Sequence, residues 1–94
     1  MTTVGGRIRL AGELDFAGSP GLQSVLADVD GDIEIDCSQL TFIDSAGLRV
    51  LEERHRDCAA AGVHLALIDP PPCLTRLAGL LGYEDLLVRD GSRS

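Results

Sequence analysis

Short β-prone segments alternate with longer helical patterns along this chain, and this order constrains the fold more than any other feature. Arg7–Leu10 and Asp32–Cys37 each alternate polar and apolar residues, as strands with one buried face do. Val63–Ile68 is almost entirely apolar, which is typical of a strand covered on both faces, and Thr41–Ile43 is a further short β-prone piece. Strands that alternate with helices in this way predict a mainly parallel sheet with right-handed crossover connections.

Three helices are predicted between and after these strands. The first begins at Ser19 and Pro20, because serine is a favoured N-cap and proline a favoured first helical residue. The second covers Ser45–Ala61 and the third Cys73–Leu81, each with an apolar stripe at helical spacing and a glycine directly after its last residue. The predicted order is therefore β-α-β-α-β-α, with the helices covering the apolar surface of the sheet.

One domain over residues 5–90 is the expected organisation for a chain of 94 residues. Met1–Gly6 and Asp90–Ser94 are expected to be loose ends, and Gly12–Gly18 is expected to form a turn. Leu86–Arg89 is predicted to be either a last short strand or a docking tail. The apolar fraction of 45% is enough for a small core, which has to be built from aliphatic side chains because only three residues are aromatic.

The net charge of −7 excludes several classes of function. Nucleic-acid binding and docking on an anionic membrane both need basic residues, so neither is expected, whereas a basic protein partner fits. No apolar run approaches the roughly 20 residues of a membrane span, and the N-terminus does not resemble a signal peptide, so we expect a cytoplasmic protein without membrane insertion. The three cysteines are odd in number and lack CxxC spacing, which predicts free thiols without a disulfide framework or a metal site. No cofactor is expected.

The segment at the start of the second helix is the most informative for function. A strand delivers the chain to Asp44 and Ser45, and the small residues Ala46 and Gly47 follow as the helix begins. The first helical turn has unpaired N–H groups and favours negative charge, so a phosphate on Ser45 would be tolerated by the helix but not by a partner packed against it. The same residues also fit a simpler interpretation, in which Asp44 or Ser45 is only the N-cap, and spacing alone does not separate the two.

Four motifs in register resemble those of the STAS domain, the fold of anti-sigma-factor antagonists. Phe42–Leu48 resembles the family's F-I-D-S-x-G-L turn and Gly12–Asp15 its G-E-L-D motif, while Gly62–Leu67 and Leu81–Leu87 fit in order and spacing. The similarity covers about Arg7–Val88. It implies an α/β fold of STAS type, a single domain with a mainly parallel sheet of about four strands covered by about three helices.

The resemblance implies a regulatory protein, an anti-sigma-factor antagonist, rather than an enzyme. In such proteins the serine directly after the aspartate, here Ser45, is phosphorylated by a partner anti-sigma factor that is itself a serine kinase. The unphosphorylated antagonist binds that partner and frees the sigma factor for transcription, whereas the phosphorylated form is released and a serine phosphatase resets it. The resemblance implies a partner surface that includes six residues: Asp15, Asp44, Ala46, Gly47, Leu48 and Arg49.

Two alternative functions involve the same part of the chain. An enzyme with Ser45 as nucleophile has little support, since no G-x-S-x-G elbow surrounds it, the chain has no lysine, and His55 lies roughly 15 Å further along the helix at about 1.5 Å per residue. A constitutive adaptor fits better. The chain is short at both ends, without the extra strand common before G-E-L-D, and so resembles the compact STAS subunits of lipid-transport ABC systems. Its partner would then be a transporter ATPase.

Overall fold

The computed structural model describes residues 1–87 of the chain. It contains four strands and three α-helices, followed by a short 3-10 helix. In chain order these are β1 (Thr2–Val4), β2 (Arg7–Leu14), α1 (Ser19–Ala27), β3 (Ile33–Ile43), α2 (Ser45–Ala61), β4 (Leu65–Ile68), α3 (Pro72–Leu81) and the 3-10 helix (Glu84–Leu87). Leu86 and Leu87 therefore belong to a helical turn rather than to a last strand, and the rest of that predicted segment lies outside the described residues.

The four strands form one sheet in the order β1-β2-β3-β4. β2 pairs with β3 and β3 with β4 in parallel, whereas β1 is antiparallel to β2. Because both parallel connections step in the same direction and crossovers are right-handed, α1 and α2 lie on the same face of the sheet, where they pack on each other. α3 contacts both β3 and α2. The prediction of a mainly parallel sheet of about four strands covered by about three helices is confirmed.

The core fills the space between the helices and one face of the sheet. Its largest fully buried side chains are aliphatic, as the scarcity of aromatic residues predicts: Ile8, Leu22, Ile33, Ile35, Leu48, Leu51, Leu65, Leu74 and Leu86. The expectation that Val63–Ile68 is covered on both faces holds only in part, because Leu65 and Leu67 are buried on one face of β4 whereas Ala66 and Ile68 are half-buried on the other, and β4 is an edge strand. Apolar composition alone does not distinguish such an edge strand from a central one.

The opposite face of the sheet carries a network of charges between β2 and β3. Arg7 Nη1 lies 3.2 Å from Glu34 Oε1, and Arg9 Nε lies 3.5 Å from Asp36 Oδ2. The Ser38 backbone N–H, which donates to Asp36 Oδ1 at 3.0 Å, is the main cause that lowers the pKa of Asp36 to about 2, and the two arginines act in the same direction. The charges of β2 and β3 on this face are paired, and β4 adds the half-buried residues Ala66 and Ile68 to it.

β3 is longer than its alternation pattern predicts. The polar–apolar pattern breaks after Cys37, yet the strand continues to Ile43. Shifts in the pairing register show that β3 carries an additional residue relative to β2 near Ser38 and a further one near Thr41. After each such β-bulge the buried and exposed positions change places. The strand therefore lacks the regular alternation of polar and apolar residues by which strands are predicted from sequence.

The N-terminal part of the sheet also differs from the expectation. β2 continues through Gly12 to Leu14 and does not turn at Gly12. Gly12 has a φ of 75° beside the second register shift, a backbone conformation that glycine adopts without strain. Met1–Gly6 is not a loose end, since Thr2–Val4 pairs with β2 as a hairpin strand. This strand begins before residue 5, so the described chain does have a strand before the one that carries G-E-L-D, contrary to the expectation.

The helix bounds agree closely with the sequence pattern. α2 spans Ser45–Ala61 as predicted, and α3 begins one residue earlier than predicted, at Pro72. Ser19 is the first residue of α1 rather than its N-cap, which is Gly18. The Ser19 hydroxyl donates instead to the carbonyl oxygen of Asp15 at 2.9 Å.

The cysteines and other side chains of the type that binds metals form no reactive cluster within residues 1–87. Cys37 and Cys58 are buried free thiols, and Cys73 is a partly buried one. Burial raises the pKa of Cys37 to about 12 and that of Cys58 above its usual range, so both are protonated at neutral pH. No group of three or more His, Cys, Asp or Glu residues is arranged to hold a metal ion, and no helix in this range is long and apolar enough to cross a bilayer.

Candidate functional site

The predicted switch serine lies where two parallel strands end side by side. Leu14, the last residue of β2, pairs with Ile43, the last residue of β3. The segments that follow these strands therefore meet at one edge of the sheet, and they carry Asp15 on one side and Asp44 with Ser45 on the other.

Asp44 organises this edge through both of its carboxylate oxygens. Its Oδ1 accepts a hydrogen bond from the backbone N–H of Gly47 at 2.9 Å, which makes Asp44 the N-cap of α2. Its Oδ2 accepts from the backbone N–H of Phe16 at 3.0 Å. The Asp44 backbone N–H donates to the carbonyl oxygen of Leu14 at 3.2 Å. One residue thus joins the start of α2 to the loop between β2 and α1.

Ser45 is the first residue of α2, and its side chain is exposed. The helix is capped by Asp44, so the capping interpretation is confirmed for Asp44 and is wrong for Ser45. Within residues 1–87 the Ser45 hydroxyl has no hydrogen-bond partner, and neither have the backbone N–H groups of Ser45 and Ala46. The hydroxyl is therefore free to react, and the unpaired N–H groups beside it favour a negative charge.

Gly47 and Leu48 require a correction, because the structure does not present them to a partner. Leu48 is fully buried in the core. Gly47 is also buried, and a Cβ added to it would lie 2.8 Å from both Cγ and the carbonyl oxygen of Leu14. Such a close approach has room for glycine alone. These two residues hold the start of α2 against β2, and they position Ser45 instead of contacting a partner.

The other predicted surface residues are accessible to different extents. Arg49 is exposed one turn after Ser45 and forms no ion pair with any described residue. Ala46 and Asp15 are half-buried. The Asp15 carboxylate accepts from the Gly18 backbone N–H at 3.1 Å, so it closes the turn that leads into α1. A phosphate on Ser45 would lie at i, i+4 spacing from the Arg49 guanidinium, the arrangement that favours an ion pair on a helix.

Sequence reasoning missed two exposed residues in the segments that lead to this edge, Phe16 and Phe42, and we refer to both as the phenylalanine patch. They are the two phenylalanines of the chain, and their side chains are 78% and 47% exposed. Phe16 lies in the loop that Asp44 holds, and Phe42 stands two residues before Asp44. Exposed aromatic side chains are enriched at protein interfaces. The available signal was the placement of Phe16 in a predicted turn, where a large apolar side chain has little to pack against.

The sequence matches a family model over nearly its whole length. The model is described as "Mlab, STAS domain", and it covers residues 1–89. The chain belongs to the STAS domain family. No curated protein sequence matches this STAS domain.

Solved structures share the fold of this STAS domain. The Bacillus cell fate determinant SpoIIAA in the phosphorylated form matches with a TM-score of 0.72 and 21% identity, over 94% of this chain and 86% of that one. The anti-sigma factor antagonist SpoIIAA in its unphosphorylated form matches with a TM-score of 0.68 and 23% identity, over 85% and 79%. A sulfate transporter family protein from Wolinella succinogenes matches with a TM-score of 0.69 and 21% identity, over 92% of this chain and 75% of that one. At these identities the similarity shows a common fold.

Removal of the Asp44 carboxylate is expected to destabilise the domain. Asp44→Ala loses the N-cap and the bond to Phe16, so we expect the free energy of unfolding to fall by about 1–2 kcal/mol. Asp44→Asn keeps one carbonyl oxygen for Gly47 and should lie between Asp44→Ala and the wild type. Urea unfolding measures both variants, and Asp30→Ala, which removes an exposed loop carboxylate, should change stability by less than about 0.5 kcal/mol. If Asp44→Ala were as stable as the wild type, the role of Asp44 as N-cap and loop anchor would be contradicted.

Proposed function

We propose that this STAS domain is a cytoplasmic anti-sigma-factor antagonist whose binding is controlled by phosphorylation of Ser45. In its unphosphorylated form it binds an anti-sigma factor with serine kinase activity. Transfer of the ATP γ-phosphate to the Ser45 hydroxyl releases it, and a serine phosphatase hydrolyses the phosphoserine to restore the binding form. The observation that carries this proposal is the exposed Ser45 hydroxyl at the start of α2, which the domain itself leaves without a hydrogen bond.

The surroundings of Ser45 fit a switch that acts on binding and not on folding. A phosphate adds about −1.5 to −2 charge at neutral pH. In the free domain this charge remains in water, at a helix N-terminus and one turn from Arg49, so the fold tolerates it. In a complex the same charge has to be desolvated next to Asp44 and the phenylalanine patch, which disfavours association.

The apolar contribution to binding is assigned to the phenylalanine patch. Phe16 and Phe42 offer exposed aromatic surface at the same edge as Ser45. Aromatic anchors of this kind often supply a large part of the binding energy at interfaces. Asp15 and Asp44 fix the loop that carries Phe16, while Ala46 and Arg49 complete the accessible surface on the helical side.

A labelling experiment tests the proposal directly. Incubation of the purified domain with ATP and a candidate anti-sigma factor kinase should add a single phosphate, detected by intact mass spectrometry. Ser45→Ala should remain unlabelled, whereas Ser24→Ala, which removes an exposed serine on α1, should be labelled like the wild type. Labelling that persists in Ser45→Ala would place the phosphate elsewhere and contradict the proposal.

A second candidate is a constitutive adaptor that binds a transporter ATPase through the same edge of the sheet. It is favoured by the family model, whose description names Mlab, and by the structural match to a sulfate transporter family protein. Stable co-purification with a transporter ATPase would support it, provided that the complex survives a Ser45→Asp substitution. Dissociation of that complex by Ser45→Asp would instead indicate a switch.

A further inference from the structure

A groove lies between α1 and α2. On α2 it is lined by residues between Val50 and Asp57, further along the helix than Ser45. It has a volume of about 170 Å³, and the buried residues Leu26 and Val50 form its apolar floor. Ala27, the last residue of α1, is an exposed residue at its rim. Since a cavity of about 150 Å³ accommodates a benzene-sized group, the groove has room for one aliphatic side chain.

The charges around the groove are mostly negative. Glu53 and Asp57 are exposed residues of α2 that line it. The basic lining residue, Arg54, is engaged with the protein itself, because its Nη2 donates to the carbonyl oxygen of Val29 at 2.9 Å. Its Nε–H is buried without an acceptor among the described residues, which leaves an unmet donor in the groove wall. The two exposed carboxylates, Glu53 and Asp57, therefore favour a segment that presents basic side chains around an apolar one, and a backbone carbonyl oxygen of that segment would accept from the Arg54 Nε–H.

The groove is connected to the surface around Ser45 by a ridge along α2. Ser45, Arg49, Glu53 and Asp57 are all exposed and recur every four residues, which forms an i, i+4 ridge. Glu53 lies about 12 Å from Ser45 along the helix axis, at about 1.5 Å per residue. A partner that covers Ser45 and follows this ridge therefore reaches the groove.

We infer that the groove between α1 and α2 is a second docking point for the partner that senses Ser45. Its occupant is one aliphatic side chain from a basic segment of that partner. This inference rests on the proposed function for the identity of the partner, but the preference for a basic segment with an apolar anchor is a property of this chain alone. Ser45 controls whether the complex forms, and the groove adds affinity and fixes the orientation of the partner along α2.

The test uses the full chain and a synthetic probe, an acetylated helical peptide of alanine and lysine with one central leucine. In a ¹⁵N NMR titration, the largest shifts are expected at the backbone amides that border the groove, such as Ala27 and Asp57. Replacing the central leucine of the probe with alanine should weaken binding about tenfold. Ala27→Leu fills the groove from its rim and should have a similar effect. Ala60→Leu, the same change at an exposed α2 position outside the groove, should stay within about twofold of wild type.

Charge variants provide the second arm. Glu53→Gln combined with Asp57→Asn should weaken probe binding about threefold or more, and the affinity should then depend less on salt concentration. The control is Glu84→Gln combined with Asp85→Asn, which removes the same charge at exposed positions outside the groove and should weaken binding less. Shifts spread evenly over the acidic surface, or equal losses in Ala27→Leu and Ala60→Leu, would overturn the inference. Ser45→Asp is expected to bind the probe like the wild type, so failed labelling of Ser45 and failed groove binding are separate results.

Discussion

Replacing Gly47 with alanine is expected to lower the free energy of unfolding by about 1–3 kcal/mol. The added Cβ would lie 2.8 Å from the Cγ atom and the carbonyl oxygen of Leu14. The carbonyl belongs to the backbone of β2 and cannot rotate away, so α2 would have to move off the end of the strand. That movement also stretches the hydrogen bond between Asp44 and residue 47. Urea unfolding followed by circular dichroism measures the loss.

Two other helical glycines serve as matched controls for this substitution. Gly21 in α1 and Gly79 in α3 have nothing within 4 Å of an added Cβ. Gly21→Ala and Gly79→Ala should therefore raise stability by about 0.5–1 kcal/mol, because alanine loses less backbone entropy on folding. If Gly47→Ala stabilised the protein to the same extent, the close packing of α2 against Leu14 would be disproved.

Phosphorylation of Ser45 is expected to weaken binding to the anti-sigma factor kinase by more than about a hundredfold, which corresponds to about 3 kcal/mol. The reason is the cost of desolvating the phosphate next to Asp44 in the complex. Ser45→Asp adds a single charge and should weaken binding about tenfold. Ser45→Ala should retain wild-type affinity. Calorimetric titration of each form against the kinase measures these differences.

The matched control adds the same charge elsewhere. Ser24→Asp places a carboxylate on an exposed position of α1 and should change affinity by less than about twofold. Unfolding measurements should show Ser45→Asp to be as stable as the wild type or more stable by about 0.3–1 kcal/mol, since negative charge is favourable in the first turn of a helix. Equal affinities of Ser45→Asp and Ser45→Ala would contradict a switch at this position.

The helices were predictable because their signals are local. α2 combines a continuous apolar stripe with a cap residue, Asp44, and a glycine after its last residue, so its bounds at Ser45 and Ala61 follow from the sequence. The mainly parallel sheet followed from the order of the elements. That Asp15 lies with Asp44 and Ser45 was implied by the family resemblance alone, and the parallel pairing of β2 and β3 in the structure explains it.

The features that escaped prediction depend on contacts between distant parts of the chain. The bulges in β3 change which residues face the core, so Thr41–Ile43 was separated from the strand to which it belongs. β1 is too short to show an alternation pattern and is a strand only because β2 pairs with it. The burial of Gly47 is set by Leu14, which lies 33 positions earlier, and a sequence pattern within α2 does not contain that information.

The double attachment of Asp44 limits the kind of enzyme that can act on the neighbouring hydroxyl. Ser45 is held in a helical turn that is bonded to a separate loop through Phe16. Threading this segment through an active site as an extended chain would break both attachments. Modification of Ser45 therefore calls for a catalyst that recognises the intact three-dimensional surface, and a linear peptide copied from Phe42–Val50 lacks the contacts by which the domain presents its serine.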